Sequence, residues 1–206
     1  MIAIIDYGVG NLRSVEKAFS SLGCQSIVSA DPNIILEADK VVLPGVGAFG
    51  KSMENLTRAG MVPVVKQVLN SGRPFLGICL GLQMLFEESS EVFGDQECLN
   101  QGLGIFPGRV LRFPANTLKV PQIGWNQITK NKETPLLHGV PDGSFVYFVH
   151  SYFVKPDSSN LIACTTNYGS YYCSGIASDN VAAFQFHPEK SSLVGLKILK
   201  NFGELK

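Results

Sequence analysis

Apolar residues recur along this chain with one period in its first half and another in its second. Ile2 to Ile5 is an apolar run that reads as a strand. In "NLRSVEKAFSSLG", Leu12, Val15, Phe19 and Leu22 return at helical spacing, with Asn11 placed to cap the start and Gly23 to end it. Gln25 to Val28 reads as a second strand, and "KVVLPG" as a third with a Gly-rich turn after it. Residues 52 to 70 are helical in pattern, Pro63 either starting a second segment or kinking the first. Phe75 to Ile78 reads as the fourth strand and Leu80 to Glu88 as the next helix. The alternation predicts an α/β fold with a mainly parallel central sheet flanked by helices on both faces.

The second half is written in short strand-like runs: "GRVLRF", "VPQIGWNQIT", "SFVYFVHSYFV", "NLIACTT", "YYCSGIAS" and "VAAFQF". Gly, Asn, Asp and Pro separate them, as antiparallel hairpins require. "LVGLKILKNFGEL" closes the chain as an amphipathic helix. No composition shift marks a boundary, so residues 1–206 read as one α/β domain with an antiparallel β extension.

Composition narrows the function classes. The chain has 206 residues, 45% hydrophobic and 17% charged, which is globular and not disordered in character. Basic and acidic residues number 17 each, so no charge excess steers the chain to nucleic acid or an anionic membrane. The N-terminus lacks a basic leader, and the apolar stretches fall short of the roughly 20 residues needed to span a bilayer. Cys24, Cys79, Cys98, Cys164 and Cys173 are odd in number, irregularly spaced and without a Cys-x-x-Cys pair. A disulfide framework or a zinc site is therefore not expected, and a reducing cytoplasm fits best.

Cys79 stands apart from the other four. Gly77-Ile78-Cys79-Leu80-Gly81 has the spacing of a nucleophile elbow, with sulfur in place of the more familiar serine. A sharp strand-to-helix reversal forces the nucleophile into a strained conformation. Side chains two residues either way would collide there, hence glycine. The turn sets Cys79 at a helix N-terminus, where partial positive charge stabilises a thiolate, and leaves the Leu80 N–H free for an oxyanion. The pentapeptide alone is equally compatible with a small buried apolar thiol.

A cysteine nucleophile needs a base, and the chain has three histidines. His138 in "PLLHGVPDG" reads as a turn residue. His150 in "YFVHSYF" sits on a strand, where it either lines a pocket or packs in a wall. His187 in "FQFHPEKS" is the informative one: Pro188 holds it extended, and Glu189 two residues on projects to the same side. That arrangement lets a carboxylate orient one ring nitrogen while the other faces a thiol. A turn histidine beside a solvated glutamate is the bland alternative.

The turn "LPGVGAFGKS" follows the third strand and can present backbone N–H groups to an anion at Gly45, Val46 and Gly47. It lacks the spacing of a phosphate-binding loop. "YGVGNLR" likewise lacks the third glycine of a dinucleotide fingerprint, so no nucleotide cofactor is expected.

Taken together, "GICLGLQ" and "HPE" resemble the nucleophile motif and His–Glu pair of the class I (triad) glutamine amidotransferases, whose fold is flavodoxin-like. "IDYGVGNLRSV", "LPGVGAFG", "PQIGWN", "YFVHSY" and "FQFHPEKS" extend the resemblance over nearly the whole chain. They occur in the order of the branch that serves a cyclase/synthase subunit in histidine biosynthesis. The resemblance implies a mechanism without metal or cofactor: Cys79 attacks the side-chain amide of L-glutamine, His187 relays protons, and Glu189 orients His187. Leu80 and the Gly45-Val46-Gly47 segment would supply the oxyanion hole. Gln83, His150, Ser151 and Tyr152 would hold the substrate. In that branch ammonia passes to a separate (β/α)8-barrel subunit as a heterodimer, yielding imidazole glycerol phosphate and AICAR. Asn11, Trp125 and Lys190 are the candidates for the partner face. Three rivals stand beside this reading. One is an amidotransferase subunit serving anthranilate, aminodeoxychorismate or pyridoxal phosphate synthesis. The others are a free-standing cysteine hydrolase and a non-catalytic module.

Overall fold

The computed structural model describes residues 1–91, 100–114 and 119–205; Cys98 lies outside them. In chain order the first elements are β1 (Ile2–Ile5), α1 (Leu12–Ser21), β2 (Ser26–Ser29), α2 (Pro32–Glu37), β3 (Lys40–Gly45), α3 (Phe49–Arg58), α4 (Met61–Asn70), β4 (Phe75–Cys79) and α5 (Leu80–Met84). Strands β5 (Phe86–Ser89), β6 (Asn100–Gln101), β7 (Phe106–Arg112), β8 (Gln122–Gln127), β9 (Thr129–Lys130), β10 (Phe145–His150) and β11 (Tyr152–Pro156) follow. The chain ends with β12 (Ile162–Asn167), β13 (Tyr171–Ser178), β14 (Val181–Phe184) and α6 (Ser192–Glu204).

The backbone of the fold is a parallel unit in the order β2-β1-β3-β4-β14. That order is of the doubly wound, flavodoxin-like type, in which ligands bind at the carboxyl ends of the strands. Alternate residues of each strand face opposite sides. Ala3, Ile5, Val41, Leu43 and Phe75 pack with Ile35, Leu56, Val65 and Val68 of α2, α3 and α4. Ile2, Ile4, Val42, Leu76 and Ile78 pack with Val15 and Phe19 of α1 and Ile198, Leu199 and Phe202 of α6. Beyond β14 the sheet continues through β13, β11, β7, β5 and β6, mostly antiparallel, and β8 and β10 form a separate antiparallel ribbon. The α/β class with an antiparallel extension is thus as the pattern predicts.

Four local expectations are corrected. The helix expected over Leu80 to Glu88 ends at Met84, and Phe86–Ser89 is strand β5, paired in parallel with β7. Residues 80 to 86 are buried on every side, so helical and extended readings are equally apolar, and the neighbouring strand decides. "VAAFQF" was expected among hairpins. Instead β14 inserts parallel to β4, with Val181 opposite Phe75 and Phe184 opposite Ile78. The break in residues 52 to 70 falls at Gly60, whose φ of 69° is left-handed; Pro63 lies in the first turn of α4, where an N–H has no helical partner to lose. Asn11 offers no side-chain cap to the backbone of α1; its Oδ1 accepts the Ser14 hydroxyl at 2.8 Å instead. Helix α2 was not anticipated, although Asp31 caps it from Oδ1 and Pro32 opens it.

Candidate active site

Two strand ends build the site. Strand β4 runs out at Cys79, which adopts φ 55° and ψ −107° before α5 begins. A non-glycine residue there is strained, and the surroundings hold it in place. A Cβ on Gly81 would sit 1.9 Å from the Leu43 carbonyl oxygen, and one on Gly77 would sit 2.8 Å from the Ala183 Cβ. Glycine is therefore required on both sides because α5 folds back directly onto β3 and β14. Gly45, opposite Cys79 in the β3–β4 register, has the same reason for being glycine: a Cβ would lie 2.8 Å from Leu80 Cβ and from the Tyr7 hydroxyl.

Strand β14 ends beside β4, and the chain continues through Gln185 and Phe186 to His187. His187 is extended, at φ −99° and ψ 98°, as Pro188 demands. Glu189 is not extended but lies in a 3-10 turn, Pro188–Lys190. The turn still brings Glu189 Oε1 to 2.8 Å from His187 Nδ1, with both side chains buried. A carboxylate only accepts, so Nδ1 carries the proton. Ser191 clamps the turn: its hydroxyl donates to the His187 carbonyl at 2.6 Å and accepts the Tyr147 N–H at 3.0 Å.

The second ring nitrogen, Nε2, is buried and has no hydrogen-bond partner within normal reach. Its electrostatic neighbour is Cys79. Burial opposes charge on the His187 ring, but the Cys79 sulfur, through hydrogen bonding and charge, and then Glu189 outweigh it and raise the pKa to about 10. The ring is favoured as imidazolium while the sulfur is anionic.

Cys79, Leu80, Val46, Gly47, Gln83, His150, Ser151, Tyr152, His187 and Lys190 all line one cavity of about 300 Å³. That is the small end of ligand pockets and suits a metabolite. Of the residues expected at the site, Glu189 stands behind His187 and Gly45 behind Leu80, outside the lining. Asn11 and Trp125 are away from it. Trp125 is 48% exposed on β8 and meets Tyr147 edge-on at 6.1 Å; Lys190 Nζ lies 5.9 Å over the same Tyr147 ring. Ile123 and Phe145 extend this exposed apolar face of the β8–β10 ribbon.

The Gln83 amide has a fixed direction. Its Nε2 donates to the Tyr152 carbonyl at 2.9 Å and to Gln185 Oε1 at 3.1 Å, leaving Oε1 for a ligand. Two polar residues that line or support the site were missed in the sequence. Glu91 brings a carboxylate to the cavity while its Oε2 accepts the Phe49 N–H at the head of α3. Gln185 reaches the Cys79 sulfur. Counting two residues back from His187 along the extended approach from β14 would have found Gln185; nothing local marks Glu91.

His150 both lines the cavity and packs in the wall, among Phe113, Phe148 and Tyr172. Its Nδ1 lies 2.8 Å from the Tyr152 carbonyl and must donate, while Nε2 lies 3.2 Å from the Tyr172 hydroxyl, whose proton goes to Gln122 Oε1 at 3.0 Å. Burial, with the His187 charge adding to it against the Tyr152 carbonyl, lowers the His150 pKa from 6.5 to about 4. The native ring refuses a proton that the unfolded chain accepts, so its contribution is present above pH 6.5 and is lost as pH falls towards 4. His187 has the opposite sign: its contribution is complete below 6.5 and is lost as pH rises through about 10. Going from pH 7 to 5 should cost the wild type about 2 kcal/mol more than a His150→Phe variant. Urea unfolding of both proteins at both pH values measures this; equal losses would remove His150 as the acid-sensitive group.

Among the described residues the other thiols lie outside this cavity. Cys24, Cys164 and Cys173 are free, and burial pushes Cys164 up to about 12 and Cys173 higher still. No described helix is long and apolar enough to cross a membrane.

A strained thiol on a strand end, a buried imidazole–carboxylate couple and a flavodoxin-like sheet define a triad amidotransferase, and comparison with known proteins agrees. The family model "Glutamine amidotransferase class-I" matches residues 3–204, and the chain belongs to that family. Within it, the chain is 54% identical to the imidazole glycerol phosphate synthase subunit HisH of Geobacter sulfurreducens, covering all of this chain and 99% of that one. It is 52% identical to the subunit of the same name from Aquifex aeolicus, over 97% of this chain and 94% of that one. At this identity over the full length it belongs with those subunits. A solved glutamine amidotransferase superposes with a TM-score of 0.74 at 16% identity, over 98% of this chain and all of that one, and shares the fold.

Proposed function

We propose that this chain, as one amidotransferase domain, hydrolyses L-glutamine through a Cys79 thioester and delivers the ammonia to a synthase partner in histidine biosynthesis. One observation carries the reading: Cys79 at the elbow and His187, paired to Glu189 at 2.8 Å, open into the same cavity. The thiolate attacks the glutamine Cδ. The oxyanion that forms is received by the Leu80 N–H and an N–H of the Gly45-Val46-Gly47 segment. The His187 imidazolium protonates the leaving amine from Nε2, and ammonia departs. Water then gives a proton to His187 and attacks the thioester, releasing glutamate and restoring the thiol pair. The Gln83 Oε1 and the Glu91 carboxylate suit the substrate ammonium. Ser151 and Tyr152 frame the other end of the head group.

The partner is a (β/α)8-barrel cyclase that takes up the ammonia and forms imidazole glycerol phosphate and AICAR. It docks against Trp125, Lys190 and Asn11. The exposed Trp125 on β8, sharing Tyr147 with the cavity residue Lys190, supports this, since aromatic anchors dominate interfaces. The buried free thiols suit a cytoplasmic setting. Val46 is half exposed at the cavity and Gly47 has a φ of 93°, so a peptide here is free to present either its carbonyl or its N–H. We infer that the resting chain presents the carbonyl and that the partner, with its own ligand bound, turns the peptide. Losing one oxyanion donor costs about 10²–10³ in turnover, so glutaminase activity should rise by about that factor with partner plus ligand. Assays of the chain alone, with partner, and with partner plus ligand test this. Equal rates in all three would leave a free-standing hydrolase as the better account.

A further inference from the structure

One contact to the nucleophile has no part in the mechanism above. Gln185 is fully buried one residue past β14, and its Nε2 lies 3.6 Å from Cys79 Sγ. Its backbone N–H donates to the Ser174 carbonyl at 2.9 Å, which anchors the residue to β13. The direction of its amide is set by a relay. Gln83 Nε2 lies between two carbonyl oxygens, those of Tyr152 and of the Gln185 side chain, so the Gln83 amide cannot be turned. Gln185 Oε1 must then face Gln83, and the Gln185 N–H must face the sulfur. The Tyr152 carbonyl is itself held from the other side by His150 Nδ1.

We propose that Gln185 is a further catalytic residue, whose side-chain N–H donates to the Cys79 sulfur and holds it as a thiolate on the elbow. A separation of 3.6 Å is ordinary for a donor to the larger sulfur atom. Such a bond strengthens when the acceptor is an anion, so it favours thiolate over thiol. Helix α5 is only five residues long and gives the thiolate little dipole support of its own. A buried, directed amide fills that role. When the sulfur becomes a thioester the acceptor weakens, and the contact then favours return to the free thiolate as glutamate leaves.

The inference rests on Cys79 being the nucleophile, and the test reads that first. Iodoacetamide labelling of the wild-type chain, mapped by mass spectrometry, should mark Cys79 selectively; if it does not, the hydrolytic reading falls and this inference with it. The rate of Cys79 alkylation is then followed against pH in wild type and Gln185→Met. Loss of a hydrogen bond to a charged group should move the alkylation midpoint up by about one pH unit or more, slowing labelling about tenfold at pH below the wild-type midpoint. The rates should converge at high pH, where both sulfurs are ionised. The other ionisable groups around Cys79 are His187 with Glu189 behind it, Tyr7 after β1, His150 on β10, Tyr152 on β11, and Glu91 and Lys190 at the cavity. All are common to both proteins, so the shift reports on residue 185. An unchanged midpoint in the folded variant overturns the proposal. Should Gln185→Met not fold, wild type carries the test: the Gln185 side-chain amide resonances should titrate with pH and cease to do so in Cys79→Ala. Identical titration curves in those two proteins would overturn it as well.

Discussion

Cys79→Ala should lower glutamine turnover by at least about 10⁴-fold while leaving glutamine binding almost intact, because the covalent route disappears with the sulfur. The groups suited to the substrate head group, Gln83, Glu91, Ser151 and Tyr152, line the cavity independently of the thiol. The oxyanion donors and the exclusion of water remain, so a residue of activity above the uncatalysed rate is expected and full activity is not. Turnover is measured with partner and partner ligand present, and glutamine binding by calorimetry. Retention of more than about one per cent of turnover would mean that the thioester route is not the main one.

The second large effect concerns the fold. Gly81→Ala should destabilise the chain by about 4 kcal/mol or more, at the extreme of what single substitutions do. The added Cβ would lie 1.9 Å from the Leu43 carbonyl oxygen, and β3 cannot retreat because it is paired to β1 on one side and β4 on the other. Gly47→Ala is the control. A Cβ there meets nothing within 4 Å, and the cost is only that of a left-handed φ, about 1–2 kcal/mol. Urea unfolding of both variants against wild type measures the contrast. If Gly81→Ala were no worse than Gly47→Ala, the packing account of the elbow would be wrong.

These two effects explain why the elbow is legible in the sequence. Its glycines answer to contacts within a few residues of Cys79 and to the strand next door, and any chain that turns this sharply meets the same obstruction. His187 was legible for a similar local reason: Pro188 restricts it, whatever surrounds it. Elsewhere local signals were insufficient. The run from Leu80 to Phe86 is buried on all sides, so apolar periodicity has no exposed face from which to read helix or strand. Helix α2 had its signal in Asp31-Pro32, but six residues give too short a pattern to register. Glu91 reaches the cavity from the end of β5, a strand that was itself misread as helix.

The amino-acid sequence alone specified an α/β chain, a strained cysteine between two obligatory glycines, and a histidine fixed two residues before a glutamate. Tertiary structure decided that these two pieces meet. Strand β14 could have closed a hairpin meander at the far edge of the sheet; instead it lies parallel to β4, with Phe184 opposite Ile78. That register sends both strands out at the same end and brings Gln185 to the sulfur of a residue 106 positions earlier. A short apolar run buries equally well in either direction and beside any of several strands, so no pattern within it could choose. Its place is set by the helices packed on both faces and by β13 pairing along its other side.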